Sequence, residues 1–469
     1  MNPDHPALWV GGTTISFGEL FEKTNHLADR LRSWPAWKCS PVPRIGLLGD
    51  NSADYVVVAL AVLKAGGCFV PVASELALPE RDEIARTTAL HGILALGRHD
   101  WLAECDSIDE PLGLRGRLFD PPPPQFPENT FEALHPAFIR FSSGTTGRSK
   151  GVVLSHRSLR ERIESANRAL QIGPDDRILW ILPMAHHFAV SIVLYLYFGA
   201  TTVIETSRMA TDILAAAENS AATVLYGAPF HHAMLAADPG AFRWPSLRLA
   251  VSTAAPLHKE TARAFLARFD RPLVQGLGII ECGLPILNLD AAKDAPESIG
   301  RPVDGWEAKL VAPSDQEPPA DAPGELWLRG PGMFDAYLVP WTPRSEATCS
   351  GWFATGDICT RNSHGLLTIL GRSKSVINVG GMKVFPEEVE TILDACPGVA
   401  RSRVFARRHP VFGSVPVAEI IPANPDSPPD PSTLRSTCRS SLPPHKVPAS
   451  IQITHHLPTT PSGKIRRIE

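Results

Sequence analysis

Long hydrophobic runs are missing from this chain. Its most apolar stretch, Ala189 to Tyr197, falls well short of the ~20 residues that cross a bilayer. The opening MNPDHPALWVGG has neither a basic start nor an apolar core, so it does not read as a secretory signal. No charge of one sign dominates. Forty-five Lys and Arg against 49 Asp and Glu give a net charge of −4, which gives no reason to expect nucleic acid or an anionic membrane as partner. The eight cysteines are scattered, with no C-x-x-C pair and no histidines at metal spacing. That pattern excludes a structural zinc and fits a reducing compartment. No internal repeat is visible. A cytoplasmic globular protein is the expectation these absences leave.

At 469 residues, 44% of them hydrophobic and 20% charged, the chain has the composition of a soluble enzyme and more length than one core supports. Proline is abundant, with 45 residues. Some of them cluster in PPPPQFP (Pro121 to Pro127), read as a surface crossing.

Short apolar runs alternate with helical patterns. RIGLL, CFVPV and ILAL are strand-like, with SADYVVVALAVLKAG and PERDEIARTTAL helical between them. RILWIL, TTVIE, ATVLY, LRLAV and PLVQG continue the rhythm. Buried parallel strands read as such continuous apolar runs, so the fold class is α/β with parallel-type sheets. From about Glu307 shorter strands and turns (EAKLVA, GELWLR, LLTIL) indicate a small β-rich subdomain. The last hundred or so residues mix helix and strand again, giving a boundary at Arg372: a large N-terminal domain, 1–371, and an α+β C-terminal domain, 372–469.

The most informative segment is FSSGTTGRSKG, Phe141 to Gly151. Its glycines let backbone N–H groups approach a ligand, Ser142, Ser143, Thr145 and Thr146 add hydroxyls, and Lys150 adds a positive charge. Strand-like AFIRF and VVLS flank it, making a tight loop on a sheet. A Gly/Ser/Thr loop alone is a turn; with a terminal lysine and two strands it suits a polyphosphate. It is not the P-loop of nucleotide triphosphatases. Ser149 stands where that motif needs its second glycine, and Gly151 where it needs a hydroxyl for magnesium.

SSGTTGRSKG resembles the phosphate loop of the acyl-adenylate-forming enzymes: acyl-CoA synthetases, peptide-synthetase adenylation domains and beetle luciferases. Further motifs of that family follow in order. LPMAHHFA (Leu182 to Ala189) resembles its P-x-x-H motif, and VSTAAPL (Val251 to Leu257) its adenine-pocket loop. GELWLRGPGMFDAYL (Gly324 to Leu338), GWFATGD (Gly351 to Asp357) and GRSKSVINVGGMKVFPEEVE (Gly371 to Glu390) resemble three more. LPTTPSGKIRR (Leu457 to Arg467) resembles the C-terminal motif with the catalytic lysine.

The resemblance implies an ATP-dependent enzyme whose C-terminal domain is mobile. A carboxylate attacks the α-phosphate of ATP to give an acyl-adenylate and pyrophosphate, and a pantetheine thiol then displaces AMP. ATP and Mg2+ are the implied cofactors, and the partners are a small-molecule carboxylic acid and an acceptor. Nucleotide binding is implied for Ser142, Ser143, Gly144, Thr145, Thr146, Gly147 and Lys150, for Thr253, Ala254 and Ala255, and for Gly276 and Leu277. Asp357 would accept from both ribose hydroxyls, with Arg372 beside it. Glu281 would hold the magnesium, since a hard cation prefers carboxylate oxygen. Lys464 would reach the α-phosphate, and Lys374 would be the hinge of the small domain. His186 would gate or line the acyl pocket, with His187 able to take the same role. Phe188, Tyr226, Gly227, Ile279, Leu284 and Pro285 complete that pocket. None of these six is charged, which argues for a hydrophobic or cyclic acid rather than an amino acid. Gly380 and Gly381 would let a pantetheine arm pass.

The chain departs from the family at two places. Leu277 replaces an aromatic ring that stacks near the nucleotide. Ile280 replaces a threonine whose hydroxyl would bond the α-phosphate, a loss of about 1.5–3 kcal/mol unless a donor such as Thr253 compensates. Three functions stay open: a ligase charging CoA or a carrier protein, an amide-forming ligase of the coronafacate-ligase type with an amine acceptor, or a nucleotide-binding homologue without catalysis. The intact Lys150, Asp357, Arg372 and Lys464 speak against the last.

Overall fold

The structure, a computed structural model, describes residues 2–97, 105–121, 123–141, 150–380, 382–410 and 412–458. They divide into two compact units, one drawn from 2–141, 150–307 and 328–353, the other from 308–327 and 354–458.

The first unit holds two nine-stranded sheets. In one, Pro6–Val10, Thr201–Ile204, Arg177–Trp180, Val224–Gly227, Leu249–Ser252 and Leu273–Ile279 lie side by side and run parallel. The order of the other runs through Gly151–Ser155, Pro136–Phe141, Cys68–Val72, Arg44–Leu48 and Gly92–Leu96. RIGLL and CFVPV are buried at every position, the reason they read as unbroken apolar runs. Helices Ala210–Ser220, Pro229–Ala237 and Lys259–Phe269 cover the first sheet, burying Leu214, Leu235, Trp244, Phe265 and Phe269 in one core. A second core gathers Leu48, Val70, Ile93, Phe131 and Ile139.

The amino-terminal residues, which carry no strong strand pattern, form a hairpin of Pro6–Val10 and Thr13–Ser16. It leads into the Phe17–Ser33 helix. Ser16 and Glu19 close that helix's first turn reciprocally: Ser16 Oγ accepts from Glu19 N–H at 3.2 Å, and Glu19 Oε2 from Ser16 N–H at 2.8 Å.

The second unit carries most of a four-stranded sheet, in the order Glu307–Val311, Gly324–Arg329, Phe353–Arg361, Leu367–Arg372. A five-stranded sheet follows, built on the long antiparallel pair Val399–His409 and Gly413–Pro422. Helices Pro386–Asp394 and Pro431–Ser441 bury Val389, Leu393, Leu434 and Cys438 against it. All eight cysteines are free thiols. Among the described residues no helix is long and apolar enough to cross a membrane.

Candidate active site

The loop's flanks are strands, as the sequence implies. Pro136–Phe141 and Gly151–Ser155 pair antiparallel, with Phe141 opposite Gly151. Ser142, Ser143, Gly144, Thr145, Thr146 and Gly147 lie outside the described residues, as do Gly381 and Lys464. Lys150 is described, at the loop's exit.

A short segment, Gly332 to Leu338, braces that exit. Leu338 N–H donates to Gly151 O at 2.7 Å and Asp335 N–H to Val153 O at 2.9 Å. The Asp335 carboxylate accepts from Ser155 N–H at 2.6 Å and from the Ser158 hydroxyl at 2.9 Å, gripping the start of the His156–Leu170 helix. From that helix the buried Arg162 reaches back. Its guanidinium donates to Gly332 O (2.8 and 3.0 Å), Ile280 O (3.0 Å) and Glu281 O (3.3 Å). Gly332 has φ +68°, and any Cβ there would collide with the Arg162 main chain, so only glycine fits. Burial lowers the Arg162 guanidinium to about 10, which leaves it charged at neutral pH.

Glu281 sits in the turn between Leu273–Ile279 and Gly283–Leu287. Three elements hold it. Phe334 N–H donates to its carbonyl at 2.8 Å, Arg162 binds the same carbonyl, and the Tyr337 hydroxyl donates to Oε1 at 2.9 Å. Lys150 Nζ stands 4.6 Å from the centroid of the Tyr337 ring. Arg140, at the end of the strand entering the loop, has a buried Nε with no partner among the described residues. Burial lowers its guanidinium to about 10, against the pull of the Glu281 carboxylate and with the push of Arg162. Lysine, carboxylate and two arginines thus gather where the loop leaves the sheet. Among the described residues no three His, Cys, Asp or Glu side chains converge on a metal position. A single carboxylate oxygen donor suits Mg2+, a hard cation that takes its remaining ligands from phosphate and water. Glu281 fits the ion on that ground.

Several residues expected to line the acyl and adenine pockets lie at the carboxyl ends of the parallel strands, where open α/β sheets bind ligands. Tyr226 and Gly227 end one strand, and Thr253 follows its neighbour. Thr253 N–H donates to Gly227 O at 3.0 Å, and its hydroxyl donates to Gly276 O at 3.3 Å. That proton is therefore committed, which counts against Thr253 as the stand-in for a hydroxyl at Ile280. Leu284 packs against Gly276, where an added Cβ would meet it at 3.1 Å. Ala254, with φ +71°, and Ala255 form an exposed turn. Leu277 is buried in its strand. The Tyr226 ring stacks on Trp180, centroids 5.8 Å apart and planes at 23°, and burial pushes its hydroxyl up to about 12.

His186 and His187 part company here. His186 Nε2 lies 2.8 Å from Glu75 Oε1, while His187 sets its ring edge against Trp180. Burial raises the Glu75 carboxyl, but the His186 hydrogen bond, a backbone N–H and the nearby charges of His186 and Arg208 together hold the group below its ordinary value. Phe188 is fully buried, edge-on to Tyr55 and Phe69.

In the second unit, Asp357 and Arg372 face each other across antiparallel strands, Arg372 Nε to Asp357 Oδ1 at 2.9 Å. The carboxylate is buried and the arginine half exposed. Lys374 lies exposed in a single 3-10 turn, Ser373–Ser375, directly after that strand. Gly380, at φ +57°, turns between Ile377–Val379 and Met382–Val384.

The AMP-binding enzyme family model matches residues 1–338, and that of the AMP-binding enzyme C-terminal domain residues 388–464. This chain belongs to the AMP-binding enzyme family. It is an ATP-dependent acid–thiol ligase, activating a carboxylic acid as its acyl-adenylate. A feruloyl-CoA synthase of Amycolatopsis sp. is 30% identical over 482 residues, covering 100% of this chain and 96% of the relative. An indoleacetate–CoA ligase of Aromatoleum aromaticum is 27% identical, covering 99% and 95%. The o-succinylbenzoate CoA synthetase of Bacillus subtilis, in complex with its acyl-adenylate intermediate, shares the fold with a TM-score of 0.87 at 22% identity, covering 100% of this chain and 95% of that one.

Sequence reading passes over Tyr337, Asp335, Glu75, Arg140 and Arg162. Tyr337 and Asp335 fall inside a motif of the family ligase but carry no charge pattern that singles them out. Glu75 is a lone acidic residue in a loop, and the two arginines look like surface charges at their strand and helix positions.

Proposed function

We propose that this ligase activates a hydrophobic, ring-bearing carboxylic acid and transfers it to coenzyme A. The observation that carries the substrate class is the stacked Trp180–Tyr226 pair at the carboxyl ends of the parallel strands. The Tyr226 ring, backed by the fully buried Trp180, favours a flat apolar ligand beside it. The named pocket residues Phe188, Tyr226, Gly227, Ile279, Leu284 and Pro285 carry no charge that would demand an amino acid. Feruloyl-CoA synthase and indoleacetate–CoA ligase, relatives named for ring-bearing acids and for CoA, support the same reading.

In the first half-reaction, Lys150 and the loop amides hold the β- and γ-phosphates and Lys464 neutralises charge growing on the α-phosphate side. Asp357 takes the ribose hydroxyls, and Arg372 supports that carboxylate. Thr253, Ala254 and Ala255 face the adenine. Glu281 would hold Mg2+, which would supply positive charge to offset that of the phosphates. His186, oriented by Glu75, closes the acyl side. Lys374 is the hinge on which the C-terminal region, 372–469, turns between half-reactions, and Gly380 and Gly381 pass the pantetheine arm.

Pyrophosphate release across aryl, alkyl, sulfonated and amino acids, with CoA, with amines and with neither, tests this. Aryl acids with CoA should give the highest kcat/KM. A preference for an amino acid would overturn the substrate class, and product formed with amines alone would overturn the acceptor.

A further inference from the structure

Tyr337 is a residue of the brace, and the reaction itself assigns it no task. Its strand pairs antiparallel with the exit strand of the phosphate loop, Tyr337 opposite Val152. From that fixed backbone the side chain makes two polar contacts of different kinds. Its hydroxyl donates to Glu281 Oε1, and its ring face takes the Lys150 ammonium. Phe334 backs the ring, with centroids 4.7 Å apart. One rigid side chain thus touches both the lysine expected on the phosphates and the carboxylate expected on the metal.

We propose that Tyr337 is a positioning residue that presents the Glu281 carboxylate to the metal and the Lys150 ammonium to the phosphates. This rests on the assignment of Glu281 to Mg2+ made above. A glutamate side chain has three rotors and must otherwise be ordered when the metal arrives. With Oε1 held by the phenol, the carboxylate plane is set beforehand, and Oε2, which accepts no hydrogen bond among the described residues, is left for the cation. Groups that orient a ligating carboxylate in this way are part of what sets metal affinity. The ring's hold on Lys150 needs no hydroxyl, because a cation binds the π face. The two functions of the side chain can therefore be separated by substitution.

The test uses the full-length enzyme and two binding measurements. The first is affinity for α,β-methylene-ATP without metal. The second is a Mn2+ titration of the enzyme–analogue complex followed by electron paramagnetic resonance. Tyr337→Phe keeps the ring and its packing; it should leave the first within twofold of wild type and weaken Mn2+ roughly tenfold, the lower end of the range for groups that orient metal ligands. Tyr337→Leu should weaken both. Glu281→Gln should weaken Mn2+ further than either. If Tyr337→Phe binds Mn2+ as the wild type does while Glu281→Gln does not, the positioning role is overturned and the metal assignment stands. If Glu281→Gln also binds Mn2+ normally, the metal assignment itself is wrong. A parallel loss of both affinities in Tyr337→Phe would mark the tyrosine as merely structural and would equally overturn the proposal.

Discussion

Arg372 holds Asp357 across two strands, an exposed guanidinium tethering a buried carboxylate at 2.9 Å. The asymmetry matters for what substitution does. Arg372→Ala strips one partner from a carboxylate that remains buried, whereas Asp357→Asn removes the charge itself. Each should weaken ATP binding by about 1.5–3 kcal/mol, the worth of a hydrogen bond to a charged group, or ten- to hundredfold. Equilibrium ATP titration checks this. Unchanged affinity in Asp357→Asn would remove the residue from the ribose.

Lys464→Ala should sharply slow acyl-adenylate formation while sparing thiolysis of a supplied acyl-adenylate. AMP leaves with charge on its phosphate in the second half-reaction too, so the contrast rests on Lys464 approaching the α-phosphate only in the adenylating arrangement of the C-terminal domain. Separate assay of the two halves decides. Equal losses in both would sink the role.

Ile280→Thr should keep or raise the adenylation rate. The residue is half buried in the turn, and Arg162 fixes it through its carbonyl, which the substitution leaves intact. A new hydroxyl then adds a donor near the phosphates, since the Thr253 proton is already given to Gly276. Pre-steady-state pyrophosphate release measures the effect. A large drop would show that the isoleucine side chain is a packed wall of the pocket.

Asp176 makes stability depend on acid. Its buried carboxylate accepts from Arg248 twice at 2.6 Å, from the Thr223 hydroxyl at 2.8 Å and from Gly173 N–H at 3.0 Å. Burial raises the group, and these bonds more than reverse it, so its folded value lies below the ordinary one. Its contribution is therefore complete above an unfolded value near 4 and is lost as pH falls through the lower folded value. Asp176→Asn should cost ~2–3 kcal/mol at pH 7, with Arg248 left half paired. Urea unfolding should show the gap between variant and wild type shrinking below pH 4. A gap independent of pH would contradict the ionic role.

Most strands were legible because they are buried on both faces, as RIGLL and CFVPV are, and burial of that kind writes itself as an uninterrupted apolar run. The Pro6–Val10 hairpin was not, since its partner Thr13–Ser16 is short, polar and largely exposed. Motif residues proposed to touch ligand, such as Lys150 and Asp357, carry their chemistry in their side chains. Those that hold other residues do not. Asp335 acts on a helix N-terminus and Arg162 on carbonyls, and both partners are set by tertiary contact alone. Glu75 meets His186 by tertiary proximity, which no local pattern could state.

The Gly332 to Leu338 brace also has a consequence for the order in which this enzyme is made. Asp335 and Ser155 are 180 positions apart, and Gly332 and Arg162 are 170 apart. A nascent chain that has already emerged with its phosphate loop and the following helix must wait for those later residues before Glu281 and Lys150 are pinned. Such long-range closure is slow and comes after local structure. The setting of Glu281 and Lys150 is thus finished by a segment synthesised after both, and destabilising substitutions in the brace should surface as lost ATP affinity before they surface as lost helix.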